Sequence, residues 1–163
     1  IKSFNKLKLP LIIIGDGIDF KKLKKISNKN IKLLGKQPDG IVEDLMSRCR
    51  AFVYSGIEDF GIAPVEAMAS GAPVIALAKG GILDSVSCIT NCSEKDYPTG
   101  VLFHNQTIED LIDTVSWFED KKIWKNFDPN MLNQLSQRFS EENFRNKFLQ
   151  FTNESIARFT KKI

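Results

Sequence analysis

The chain has 163 residues, 42% of them hydrophobic, which is enough for one compact domain with its own core and too little for two. Its 23 basic and 20 acidic residues leave a net charge of +3, so nothing in the charge balance argues for nucleic acid as a partner. No apolar run approaches the roughly 20 residues that span a bilayer, and three cysteines, an odd number, do not make a disulfide framework.

The chain opens at Ile1 without a methionine and without a secretory apolar region, and it reads as an excised fragment from a reducing cytoplasm. The first apolar run, Leu11 to Ile14, has strand length. Phe20 to Ile26 reads as a helix whose Lys21, Lys22, Lys24 and Lys25 form a solvated face. A patch against an anionic membrane surface is the minor alternative. Further strands are expected at Ile31 to Leu34, Ala51 to Tyr54, Pro73 to Ala76 and Val101 to Phe103. Helices are expected at Ile41 to Arg48, Pro64 to Ser70, Ile82 to Val86 and Ile108 to Phe118. Thr107 suits an N-cap with Asp110 three residues on, and Gly71 followed by Pro73 stops the preceding helix. This alternation is that of parallel strands joined by crossover helices. Past Phe118 the pattern turns helical, with Phe139, Phe144, Phe148, Phe151 and Phe159 expected to pack within the domain. Cys88, Cys92 and His104 match no common zinc spacing, and no metal site is expected.

The chemistry is expected in the stretch from Tyr54 to Gly71, which leaves the carboxyl end of a strand and enters a helix, where open parallel sheets bind ligands. With Pro64 at the first helical position, Ala63 falls at the N-cap and cannot cap, which leaves the first-turn N–H groups to an anion such as a diphosphate. Gly56 and Gly61 let the backbone approach a ligand or only serve the turn. Phe60 lines a pocket or anchors the loop. Glu58 and Glu66 stand at this crevice with seven residues between them. Read alone, Glu66 only complements the helix dipole and Glu58 is a solvated charge; read as a pair, they hold the hydroxyls of two sugars.

The pair Glu58 and Glu66, with Ala67 to Ala76, Gly80-Gly81, Gly15-Asp16-Gly17, Leu34-Gly35 and Thr99 to Phe103, resembles the retaining GT-B-fold glycosyltransferases of family 4 over nearly the whole chain. Glu58 to Ile62, with Gln106-Thr107 and Phe139-Ser140, is similar to bacterial O-antigen mannosyltransferases, which use GDP-mannose. The resemblance implies a Rossmann-like three-layer parallel sheet with extra C-terminal helices, spanning 1–163. It implies a donor-binding domain without its N-terminal acceptor domain and without its own first strand. Glu58 would contact the transferred sugar and serve catalysis, and Glu66 the ribose. Phe60, Gly61, Ile62 and Ala63 would lie under sugar and diphosphate, with Gly15 in the same site. Lys36 to Gly40 would read the base, with Asp39 accepting from guanine N1 and N2. The alternative for Asp39 is a solvated Pro-Asp-Gly turn.

The resemblance implies that the family's arginine and lysine for the donor phosphates would lie before Ile1. Asp84 replaces the usual glutamate after the paired glycines, and Ser87 to Pro98 is longer than the pattern. The implied reaction is metal-independent hexosyl transfer, mannosyl in its finer form, to a lipid-linked or lipopolysaccharide glycan at the inner face of the cell membrane; the isolated fragment is expected to be inactive. A nucleotide-sugar epimerase of related fold is the nearer alternative, and a non-catalytic receiver-like module the farther.

Overall fold

The computed structural model describes residues 1–92 and 97–160. In chain order the elements are α1 (Lys2–Leu7), β1 (Leu11–Ile14), α2 (Phe20–Ile26), β2 (Ile31–Gly35), α3 (Asp39–Arg48), β3 (Phe52–Tyr54) and α4 (Ile62–Ala69). They continue with β4 (Val74–Leu77), α5 (Ile82–Ser85), β5 (Gly100–Phe103), α6 (Ile108–Asp120), α7 (Pro129–Ser136) and α8 (Glu141–Thr160). The five expected strands and the five expected helices between them are present with small shifts of their ends; α1 was not expected. Part of the excursion from Ser87 to Pro98 lies outside the described residues.

Every strand pairing is parallel. β4 is central to a three-stranded sheet ordered β3-β4-β5, and its side chains alternate between two cores. Ile75 and Leu77 join Phe103, Val115 and Phe118 beneath α6, while Val74 and Ala76 join Met46, Ala67 and Met68 beneath α3 and α4. These layers are those of a Rossmann-like domain. Among the described residues, however, the sheet is in two pieces, with β1 paired only to β2 in a separate two-stranded sheet.

The caps explain several ends. The Thr107 hydroxyl accepts from the Asp110 N–H, and the Asp110 carboxylate in turn accepts from the N–H groups of His104 and Asn105. Leu132 on α7 is fully buried, and the Asn133 side-chain amide donates to the Ala69 carbonyl at 2.6 Å, so α7 holds the carboxyl end of α4.

The phenylalanine stripe corrects its expectation. Phe139 packs against the α3–α4 core, but Phe144, Phe148, Phe151 and Phe159 on α8 are all well exposed. The 20-residue α8 has no buried residue, so its helical spacing sets a face without giving that face a partner within the described chain. Lys21, Lys22, Lys24 and Lys25 are exposed on α2, as a solvated face requires. No helix among the described residues is long and apolar enough to cross a membrane.

Candidate functional site

The crevice at the carboxyl ends of the strands is built by three turns that lock together. After β3 the chain runs through Ser55 to Phe60 and turns at Gly61, whose φ of 79° is in the left-handed region that favours glycine. Helix α4 then begins at Ile62. The expected N-cap at Ala63 is therefore corrected to Gly61: the helix starts two residues earlier because the glycine supplies the turn, and Pro64 falls at the third helical position instead of the first. The chemical consequence survives. No side chain among the described residues caps α4, and Gly61, Ile62 and Ala63 bring N–H groups to its start while Pro64 has none.

The loop is fixed from behind by the turn after β4. Gly81 N–H donates to the Glu58 carbonyl at 2.8 Å. A Cβ on Gly80 would stand 2.4 Å from the Glu58 carbonyl oxygen, and one on Gly81 would stand 2.0 Å from that of Asp59. Only glycine admits this approach, so the paired glycines seat the acidic loop. From the other side the Gln106 amide donates to the Ser55 carbonyl at 2.9 Å, tying the loop to the turn after β5.

Within the loop, the Tyr54 hydroxyl donates to the Glu58 carboxylate. Burial first, and then this hydrogen bond and the carboxylate's charge, push the tyrosine up to about 12. Phe60 stands edge-on to Phe139, ring centres 5.6 Å apart, and is half exposed. That contact makes it an anchor of the loop. Glu58 and Ile62 are exposed, and Gly61 is buried.

A second wall comes from α3. Asp39 and Gly40 lie in its first turn after the N-cap Pro38, so the expected loop from Lys36 to Gly40 is corrected to a loop that ends at Pro38. The proline fixes the entry and Asp39 complements the positive helix end. Between α3 and α4 opens a cleft of about 630 Å³ lined by Asp39, Glu43, Asp44, Glu66 and Ser70, among others. It brings Asp39 and Glu66 together, as one site requires. Lys36, Gly15 and Glu58 do not line it; Gly15 ends β1, its N–H donating to the Gly35 carbonyl at 2.9 Å. The cleft holds four carboxylates and no lysine or arginine among its described lining residues.

Sequence reading missed Glu43. It stands one helical turn beyond Asp39, a spacing that puts both on one face once the helix is known to begin at Asp39. The clamp from Gln106 to Ser55 and the partnership of Tyr54 with Glu58 were also missed. The first joins residues 51 apart in sequence and left no local signal.

The family model described as glycosyl transferases group 1 matches residues 1–143. An uncharacterized glycosyltransferase of Methanocaldococcus jannaschii is 40% identical over 75 residues, which are 43% of this chain and 21% of that protein. Among solved structures, Anabaena HepE in complex with UDP and glucose is similar with a TM-score of 0.69 and 18% identity, over 94% of this chain and 43% of that one. Sucrose-phosphate synthase from Thermosynechococcus elongatus is similar with a TM-score of 0.68 and 17% identity, over 96% and 49%. The pneumococcal O-GlcNAc transferase GtfA, in complex with UDP and GlcNAc, has a TM-score of 0.70 and 16% identity, over 95% and 31%. The chain thus spans less than half the length of each of these proteins, and the likeness to the solved structures is one of fold.

Proposed function

The chain belongs to the glycosyl transferases group 1 family, and on that premise we propose that it is the donor-binding half of a retaining hexosyltransferase whose donor is GDP-mannose. The observation that supports this reading is the cleft between α3 and α4, which both Asp39 and Glu66 line. Its carboxylates exclude a diphosphate and suit hydrogen-bond donors, so the cleft takes the nucleoside. The diphosphate lies beyond it, at the uncapped start of α4, where N–H groups and the helix dipole stabilise the leaving group.

Glu66 accepts from the ribose hydroxyls in this reading. Asp39, helped by Glu43, accepts from guanine N1–H and the N2 amino group. Uracil presents one N–H between two carbonyls and satisfies that pair poorly. Glu58, held by Tyr54 and by Gly81, orients the hexose and stabilises the positive charge that grows on the anomeric carbon as its bond to the diphosphate breaks. Transfer is metal-independent, the acceptor is a lipid-linked glycan, and the remaining half of the protein supplies its site. Mannose and acceptor rest on the sequence resemblance alone. Uracil is the second reading for the base, favoured by the UDP in similar structures.

Calorimetric titration of GDP, UDP and ADP tests the assignment. GDP is expected to bind tightest. Glu66→Ala should weaken it roughly tenfold or more, the loss of a charged acceptor worth about 1.5–3 kcal/mol, without lowering the melting temperature, because Glu66 is exposed. Unchanged affinity in the folded variant removes the ribose role. Equal binding of GDP and UDP, or no change in their ratio with Asp39→Asn, hands the base to the uracil reading.

A further inference from the structure

The acidic loop that carries Glu58 lies between two helices, α4 after it and α5 behind it, and one later segment holds the carboxyl ends of both. Asn133 on α7 donates to the Ala69 carbonyl at the end of α4. In the turn that follows α7, the Nη2 of Arg138 donates to the Ser85 carbonyl at 2.8 Å and to the Asp84 carbonyl at 3.2 Å, at the end of α5. A helix of four residues leaves its last carbonyls without intrahelical partners, and a cation there also meets the negative pole of the helix. Arg138 answers both needs. Its flat face is used as well: Cζ stands 4.6 Å from the centre of the Phe139 ring, which meets Phe60 edge-on.

Both contacts of Arg138 lead back to the loop. Through α5 the path is one helical turn, about 6 Å, from the capped carbonyls to Gly81, whose N–H donates to the Glu58 carbonyl. Ile82, Ser85 and Val86 are buried, so the turn is packed along its length and shifts as one piece. Through Phe139 the path ends on Phe60, two residues past Glu58. The loop is thus held from this side at Glu58 and Phe60, and from the other at Ser55 by Gln106.

We infer that Arg138 is a positioning residue for Glu58, fixing from the opposite end of α5 where the loop presents that carboxylate. The inference rests on the role proposed above for Glu58. Arg138 sets the carboxylate's place and does not itself meet the sugar. It is exposed, so its removal acts on the loop more than on the core. A displacement of about 1 Å at a reacting group can cost roughly 100-fold in rate, so a loosened α5 is enough to matter.

The test uses the full-length protein and has two arms. Residue-resolved hydrogen exchange at the Gly81 amide reports its bond to Glu58; Arg138→Gln should speed it roughly tenfold while the Val74 amide of the central strand exchanges as before. Transfer from GDP-mannose, with a lipid extract of the source cells as acceptor, is then followed for wild type, Arg138→Gln, Glu58→Gln and the double variant. Arg138→Gln should lower kcat roughly tenfold and leave the donor KM within about twofold, because Asp39 and Glu66 are untouched. In the Glu58→Gln background the same change should cost little, since a residue acting through Glu58 has nothing left to place. Arg138→Lys keeps the cation without the planar fork, should fall between wild type and glutamine in both arms, and replaces the glutamine variant if that one does not fold. Unchanged exchange at Gly81, an unchanged kcat, or a loss as large without Glu58 as with it overturns the inference. If Glu58→Gln alone leaves kcat intact, or wild type turns over no GDP-mannose, the proposed role of Glu58 or the proposed donor falls instead, and the Gly81 exchange decides whether Arg138 holds the loop.

Discussion

β1 and β4 are written in nearly the same alphabet, Leu-Ile-Ile-Ile against Val-Ile-Ala-Leu, yet their surroundings differ sharply. All four residues of β4 are at most 2% exposed, whereas Ile12 in β1 is 46% exposed and Leu34 in its partner β2 is 38% exposed. The difference lies in neighbours. β4 has a strand on each side and helices over both faces, while β1 has a strand on one side only among the described residues. An apolar run thus specifies a strand, and its place in the sheet decides how much that strand contributes. The acidic loop is anchored on the well-packed half through Gly80 and Gly81, and the cleft wall from α3 borders the looser one.

The largest expected contrast is in stability. Ile75→Ala should cost about 2–5 kcal/mol by urea denaturation, the range for truncating a large side chain in a packed core, while Ile12→Ala should stay below about 1 kcal/mol. Equal losses would break the comparison and show the β1 edge to be covered already.

Gly81→Ala sharpens it next. The new methyl would meet the Asp59 carbonyl, so the loop must move, at about 1–3 kcal/mol of stability, with weaker nucleotide binding as the second readout. A variant with unchanged stability and affinity would separate the loop from its glycine seat.

The smallest effect concerns Tyr54. Its hydroxyl titrates near 12 in the folded chain against about 10 when unfolded, so its contribution is fully present below about pH 10 and is lost as the pH rises through about 12. Wild type should therefore lose stability more steeply than Tyr54→Phe between those limits, measured as the shift in urea midpoint with pH. Parallel profiles would show that Tyr54 does not sense Glu58.

Local pattern was enough for the strands and crossover helices, because four-residue apolar runs bounded by glycine, proline and caps such as Thr107 carry their own signals. It also placed the acidic stretch at a strand's carboxyl end. The start of α4 was misread because a proline at the first turn and a glycine cap are both good helix openings, and only the left-handed backbone at Gly61 decided between them. Glu43 was hidden by the same uncertainty of register at α3.

The sequence by itself determined the parallel α/β class and the glycosyltransferase family, since these rest on periodicity and on motifs whose order is local. Only the tertiary structure decided that α8 leaves its phenylalanines exposed, that Asp39 and Glu66 share one cleft, and that β1 stands apart from β3. Each of these depends on which surfaces meet across tens of residues, and hydrophobic attraction has no direction with which a sequence could name the partner.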